Sequence, residues 1–111
     1  MRKILPPEKV HPAAQTAMQD FHASTIQDIE IAIQQNAWVI LGMAHNPVVK
    51  SAKKYLAAKN ISFHSLEYGS YFSLWKLRLA IKLWSGWPTY PQIFHNGILI
   101  GGFSDLKAYL P

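Results

Sequence analysis

The sequence predicts an α/β domain: a mixed four-stranded sheet built from a βαβ unit and a β-hairpin, flanked by helices, with an extra N-terminal helix. Three observations carry this expectation. Trp38-Val39-Ile40-Leu41 is a continuous apolar run with β-branched members, the mark of a strand buried on both faces. Asn96-Gly97 separates two apolar runs, and both residue types tolerate the positive φ of a tight hairpin turn. Between these features, two segments repeat apolar residues at helical spacing.

Taken in order, residues 1–12 carry three prolines and no period, so they read as a loose leader. A turn or short helix is expected over Ala13 to Phe21. A longer helix follows, capped by Ser24 or Thr25, with Ile26, Ile29, Ile31 and Ile33 set among polar residues and Asn36 at its end. After the first strand, Asn46 suits a helix N-cap and Pro47 the first helical position. Val49, Ala52 and Leu56 give that helix its apolar face, lysines 50, 53, 54 and 59 its wet face, and Asn60 its stop. Ile61 to Leu66 is the second strand candidate. Leu74, Leu77, Ile81 and Trp84 mark a further helix, broken by Ser85-Gly86. Gln92 to His95 and Ile98 to Ile100 form the hairpin, and a short helix runs from Ser104 to Leu110. The domain division expected is a leader with a short helix at 1–25 and the folded domain at 26–111.

Composition narrows the chemistry. Half of the 111 residues are apolar, enough for one core. There is no cysteine, which excludes disulfides, cysteine-ligated metal clusters and a thiolate nucleophile. His11, His22, His45, His64 and His95 lack metal-ligand spacing, so no metal site is expected. The net charge of +5 favours anionic partners in a general way, but the basic residues are dispersed. No aromatic and basic interleaving on strands points to nucleic acid. A run long enough to span a membrane and a secretory signal are both lacking, so a cytoplasmic location is expected, with no membrane partner. A membrane-surface helix with Lys76, Arg78 and Lys82 as its basic face is conceivable, but residues 71–84 fit the fold without it.

Two segments carry a family resemblance. Trp87-Pro88-Thr89-Tyr90-Pro91-Gln92-Ile93-Phe94, then Asn96-Gly97, then Gly101-Gly102-Phe103-Ser104-Asp105-Leu106, resembles the glutaredoxin pattern W-P-T-x-P-Q-x-F…N-G…G-G-x-S-D-L. Asn46-Pro47-Val48-Val49-Lys50-Ser51-Ala52-Lys53-Lys54 is similar to the glutaredoxin segment C-P-Y-C-x-K-A-K-K. The resemblance covers about residues 26–111 and implies a thioredoxin-like fold. It also defines the departures. Asn46 stands where the family keeps its nucleophilic cysteine, and Val49 where dithiol members keep a second one. Met43 stands where those members often carry a glutathione-binding lysine, and Phe103 at another position that is often cysteine. Attack on a disulfide needs a thiolate, and an amide is no substitute.

The resemblance implies a ligand site drawn from His45, Asn46, Arg78, Thr89, Tyr90, Pro91, Gly102, Phe103, Ser104 and Asp105, with no catalytic residue. Pro91 matches the family's cis-proline, which leaves the backbone of Tyr90 to pair with the cysteinyl part of glutathione; the alternative is a tight loop entering a strand. Gly102 to Asp105 match the segment that holds the γ-glutamyl carboxylate. Independently of the family, free N–H groups at a helix start attract an anion, while Ser104 and Asp105 cap the helix in either case. Arg78, one turn from Lys82, matches a position that binds the glycine carboxylate in single-cysteine members; both are otherwise solvated charges. Asn46 is a helix cap or a hydrogen-bonding partner for a ligand sulfur, and His45 beside it is titratable.

The expected function is that of a glutaredoxin-like binder of glutathione or of an extended, thiol-bearing peptide in a redox-related role. Glutathione enters as a ligand, with no cofactor expected. Enzyme activity stays open, leaning toward none. The alternatives are a module contacting an unknown protein through the aromatic helix around residues 71–84, and a glutathione-dependent enzyme of altered chemistry.

Overall fold

The computed structural model describes residues 2–111; Met1, part of the expected leader, lies outside them. A 3₁₀ turn at Pro7–Lys9 precedes α1 (Pro12–Asp20) and α2 (Ala23–Gln35). Then come β1 (Trp38–Gly42), α3 (Pro47–Ala58), β2 (His64–Glu67), α4 (Trp75–Ser85), β3 (Gln92–His95), β4 (Ile98–Gly101) and α5 (Phe103–Tyr109). The sheet order is β2-β1-β3-β4. β1 and β2 run parallel, and β3 is antiparallel to both β1 and β4. This is the mixed, thioredoxin-like sheet that the sequence predicts.

The central strand explains the two-layer cover. All five residues of β1 are buried, so both of its faces need helices. α2 packs with α4, and α3 with α5, and both α2 and α3 reach β1. Ile29, Val39, Ile40, Leu41, Leu56 and Ile81 form the centre of the core. The hairpin turn is as expected: Asn96 has φ 51° and Gly97 φ 80°, the pair of positive values that joins two twisted strands through two residues.

Some boundaries differ, each for a local reason. His22 has φ 51°, which turns the chain between α1 and α2. Helix α2 therefore starts at Ala23, and Ser24 and Thr25 lie in its first turn instead of capping it. Strand β2 starts at His64, not Ile61. Helix α3 ends in a Schellman motif: Asn60 has φ 59°, Ile61 N–H donates to Leu56 O (3.0 Å), and Asn60 N–H donates to Ala57 O (3.0 Å). Ile61 is thus folded back onto the helix end before the chain can extend. Leu74 takes φ 55° and stands outside α4, so it is exposed and not part of the inward face. Helix α5 begins at Phe103, one residue earlier than expected.

Candidate ligand-binding site

Strand register gathers four loops at one end of the sheet. Gly42 at the end of β1 lies beside Glu67 at the end of β2. Leu41 lies beside Gln92 at the start of β3, and Ile93 beside Gly101 at the end of β4. The chain leaving β1, the chain leaving β2, the chain entering β3 and the start of α5 therefore meet there. Backbone bonds stitch the first two together: Tyr68 N–H donates to Gly42 O (3.0 Å) and Ala44 N–H to Gly69 O (2.7 Å).

Asn46 sits at the N-terminus of α3. Its Oδ1 accepts from Val48 N–H (2.9 Å) and Val49 N–H (3.0 Å), which satisfies two of the helix's orphan donors. Its Nδ2 donates to the hydroxyl of Tyr71 (3.3 Å). The position of the family's nucleophile is thus filled by a helix cap. Replacing Asn46 with alanine is expected to lower unfolding free energy by about 1 kcal/mol, measured by urea denaturation. His45 beside it is exposed and has φ 62°, the left-handed region that few non-glycine residues occupy. Met43 and Val49 are buried in the core, so neither replacement presents a polar group to the site.

The peptide bond between Tyr90 and Pro91 is cis. Tyr90 lies before the start of β3, so its backbone is outside the sheet ladder. Its ring is buried and its hydroxyl donates to Arg78 O (2.6 Å). Burial pushes this phenol well above its ordinary value, against a smaller opposing pull from Arg78, so it stays a neutral donor. Thr89 is exposed next to it. A Cβ on Gly102 would stand 3.7 Å from Pro91 O and 3.8 Å from Trp87 Nε1, which places the start of α5 against the cis bond. The Asp105 carboxylate accepts from Gly102 N–H (2.9 Å). The N–H groups of Phe103 and Ser104 open the first turn of α5, with no preceding turn to donate to. Ser104 is exposed, while Phe103 packs edge-on against Tyr55 (5.8 Å between centroids).

Arg78 departs from the solvated-charge reading of its sequence. It is 8% exposed, so it is not a solvated charge. Its Nη1 donates to the carbonyls of Ser73 (2.5 Å) and Tyr68 (3.1 Å). The guanidinium thereby pins the loop that brings Tyr71 to Asn46. Lys82 reaches the other way, with Nζ 5.6 Å from the centre of the Tyr90 ring. Sequence reasoning did not find Tyr71 as a site residue; only the Gly69-Ser70 turn before it hinted that the chain reverses there. Trp87, which opens the family motif, also borders the site. Its indole N–H is buried without a protein partner, as is Gln92 Oε1, while Gln92 Nε2 donates to Trp87 O (3.1 Å).

Among the described residues, no group of three or more His, Asp or Glu side chains could hold a metal ion. No helix there is long and apolar enough to cross a membrane. A cleft of about 720 Å³ lies elsewhere, between Ile4, Met18, Phe21, Ile26, Leu83 and Trp84.

Comparison with known proteins agrees with this geometry. No protein-family model matches the chain. A glutaredoxin-like protein of Dictyostelium discoideum is 47% identical over 88 residues, covering 79% of this chain and 72% of the relative. The mitochondrial monothiol glutaredoxin-5 of Schizosaccharomyces pombe is 33% identical over 89 residues, covering 76% of this chain and 60% of that protein. Among solved structures, a buckwheat glutaredoxin–glutathione complex superposes with a TM-score of 0.68 at 17% identity, covering 81% of this chain and 82% of the other, a likeness of fold. A relative this similar over most of both chains, on a fold with the cis-proline and the helix starts at Asn46 and Gly102 where the motifs placed them, means that the chain belongs to the glutaredoxin family, as a member without cysteine.

Proposed function

We propose that this protein binds glutathione, or a peptide that resembles it, at the sheet end formed by Asn46, Thr89, Tyr90, Pro91, Gly102, Phe103 and Ser104, without thiol–disulfide catalysis. The observation that carries the reading is the contrast within one site. The nucleophile's position holds a capping amide, while the backbone at the cis Tyr90–Pro91 bond and the open N–H groups at the start of α5 stay side by side. A carboxylate suits those N–H groups, and an extended cysteinyl backbone suits Tyr90. The buckwheat relative was solved as a glutathione complex, which fits this ligand class.

Two features weaken the affinity. Asp105 places a negative charge on Gly102, next to the anion subsite, and Met43 removes a cation that the dithiol members often use. Arg78 supports the site from below, through the Tyr68 and Ser73 carbonyls. Ordering costs consume much of what the remaining contacts contribute, so a dissociation constant of about 1 mM, or about −4 kcal/mol, is expected. Calorimetric titration with reduced and oxidised glutathione tests this. Saturable heat in that range, weakened by salt, supports the reading. Absence of heat at about tenfold higher ligand removes it. The compartment proposed is the cytoplasm; because a relative is named mitochondrial, cell fractionation decides that point.

A further inference from the structure

The outer face of α4 is apolar. Trp75, Leu79 and Leu83 recur every four residues and so form one stripe along the helix. They are 60%, 39% and 68% exposed, and Phe72, in the loop just before the helix, is 98% exposed. The inward face is already satisfied by Arg78, Ala80 and Ile81. The stripe therefore has no partner within the described residues. It continues past Leu83 into the cleft lined by Ile4, Met18 and Trp84.

Charge decides what would cover it. Lys76 precedes Leu79 and Leu83 by three and seven residues, and Lys82 follows Leu79 and Trp75 by the same spacings. One lysine therefore flanks each side of the stripe. At its far end the Arg2 guanidinium lies against Gly86, in space that a side chain there would need. Residues 68–104 contain no Asp or Glu at all, although the chain has six. Glu30 of α2 supplies a carboxylate on the cleft wall. A second copy is a poor occupant, because pairing this stripe with itself would set lysines against lysines with no carboxylate between them.

We propose that α4 and the loop before it dock on an anionic lipid surface. The stripe and Phe72 enter the headgroup boundary, and Lys76, Lys82 and Arg2 meet the acidic headgroups. An apolar stripe with lysines on both flanks and aromatic residues at one end has the composition of a helix lying in a membrane interface. From the sequence, a membrane-surface helix has Lys76, Arg78 and Lys82 as its basic face, and no membrane partner is expected because residues 71–84 fit the fold without it. The structure buries Arg78 and exposes Phe72 and Trp75, which is the arrangement that a surface contact needs. The proposal does not depend on the glutathione reading, although the two sites adjoin: Lys82 stands over the Tyr90 ring and Tyr71 bonds Asn46.

Co-sedimentation of the full chain with lipid vesicles tests it. Binding is expected to phosphatidylcholine vesicles containing phosphatidylserine, to fall with salt, and to be absent with phosphatidylcholine alone. Lys76→Gln and Lys82→Gln are each expected to weaken it about fivefold. Phe72→Ser together with Leu83→Ser is expected to weaken it by about tenfold or more. Thermal unfolding of these surface variants is expected to match the parent. The fluorescence lost in Trp75→Phe is expected to shift to the blue on vesicle addition. Failure to bind acidic vesicles overturns the proposal. So does binding unaffected by the four substitutions, or a Trp75 signal that does not move. Self-association abolished by Leu83→Ser, without vesicle binding, would assign the face to a second copy instead.

Discussion

Replacing Asn46 with cysteine is expected to create a reactive thiol and to raise glutathione-coupled disulfide reduction from the background of the parent protein to measurable turnover. The reasoning starts from the cap. Two N–H groups at the N-terminus of α3, from Val48 and Val49, now donate to Asn46 Oδ1. A thiolate at residue 46 would take over the same donors and the same helix-dipole field. An ordinary cysteine titrates near about 8.5; at such a helix start the expected value falls to between about 3.5 and 7.5. Thiolate absorbance followed against pH measures it directly. The parent is expected to show no turnover above a heat-inactivated control, because it holds no cysteine at all. An ordinary titration in the variant would mean that the helix start no longer favours negative charge, which would also undermine an anion site nearby.

Arg78→Met is expected to destabilise the fold by about 3 kcal/mol. The methionine keeps most of the side chain's apolar stem but removes the donor shared by the Tyr68 and Ser73 carbonyls. Hydrogen bonds to a charged group are worth roughly 1.5–3 kcal/mol, and carbonyls stripped of a buried partner keep their desolvation cost. The loop from Gly69 to Leu74 should loosen, and Tyr71 should leave Asn46. Urea denaturation gives the magnitude, and amide exchange in that loop gives the location. If stability is unchanged while glutathione affinity drops, the guanidinium is a ligand contact and not a strut.

Those two residues also show what the sequence could and could not reveal. Asn46-Pro47 was readable because a cap and the first helical residue are local chemistry, decided within three residues. Asn96-Gly97 was readable for the same reason. The cis bond at Pro91 came through the resemblance of Trp87 to Phe94 to a family motif, not through local propensity. The burial of Arg78 was not readable, because it depends on Ser73 and Tyr68, in a loop whose path follows from the pairing of β2 with β1. Tyr71 was invisible as a partner of Asn46 for the same reason, since the pair is distant in sequence and joined only when Tyr68 N–H bonds Gly42 O and Ala44 N–H bonds Gly69 O across the strand ends. Strand β2 began late because Asn60 adopted the left-handed cap, and a cap so favourable outranked the extended propensity of Ile61 to Phe63. Aromatic residues gave the least reliable signal. Trp84 packs against Phe94, whereas Phe72 and Trp75 face outward, and composition alone does not separate those cases.

The account of a cysteine-free binding site is tested most directly by titrating the labelled protein with reduced glutathione and following backbone amide and indole NMR signals. The expected result is a saturable shift, half-complete at about 1 mM, at Tyr90, Phe103 and Ser104, with the Trp87 indole responding and salt weakening the effect. Shifts confined to the cleft residues Ile4, Met18 and Trp84, or no shift near Tyr90 and Phe103 at about tenfold that concentration, would contradict it.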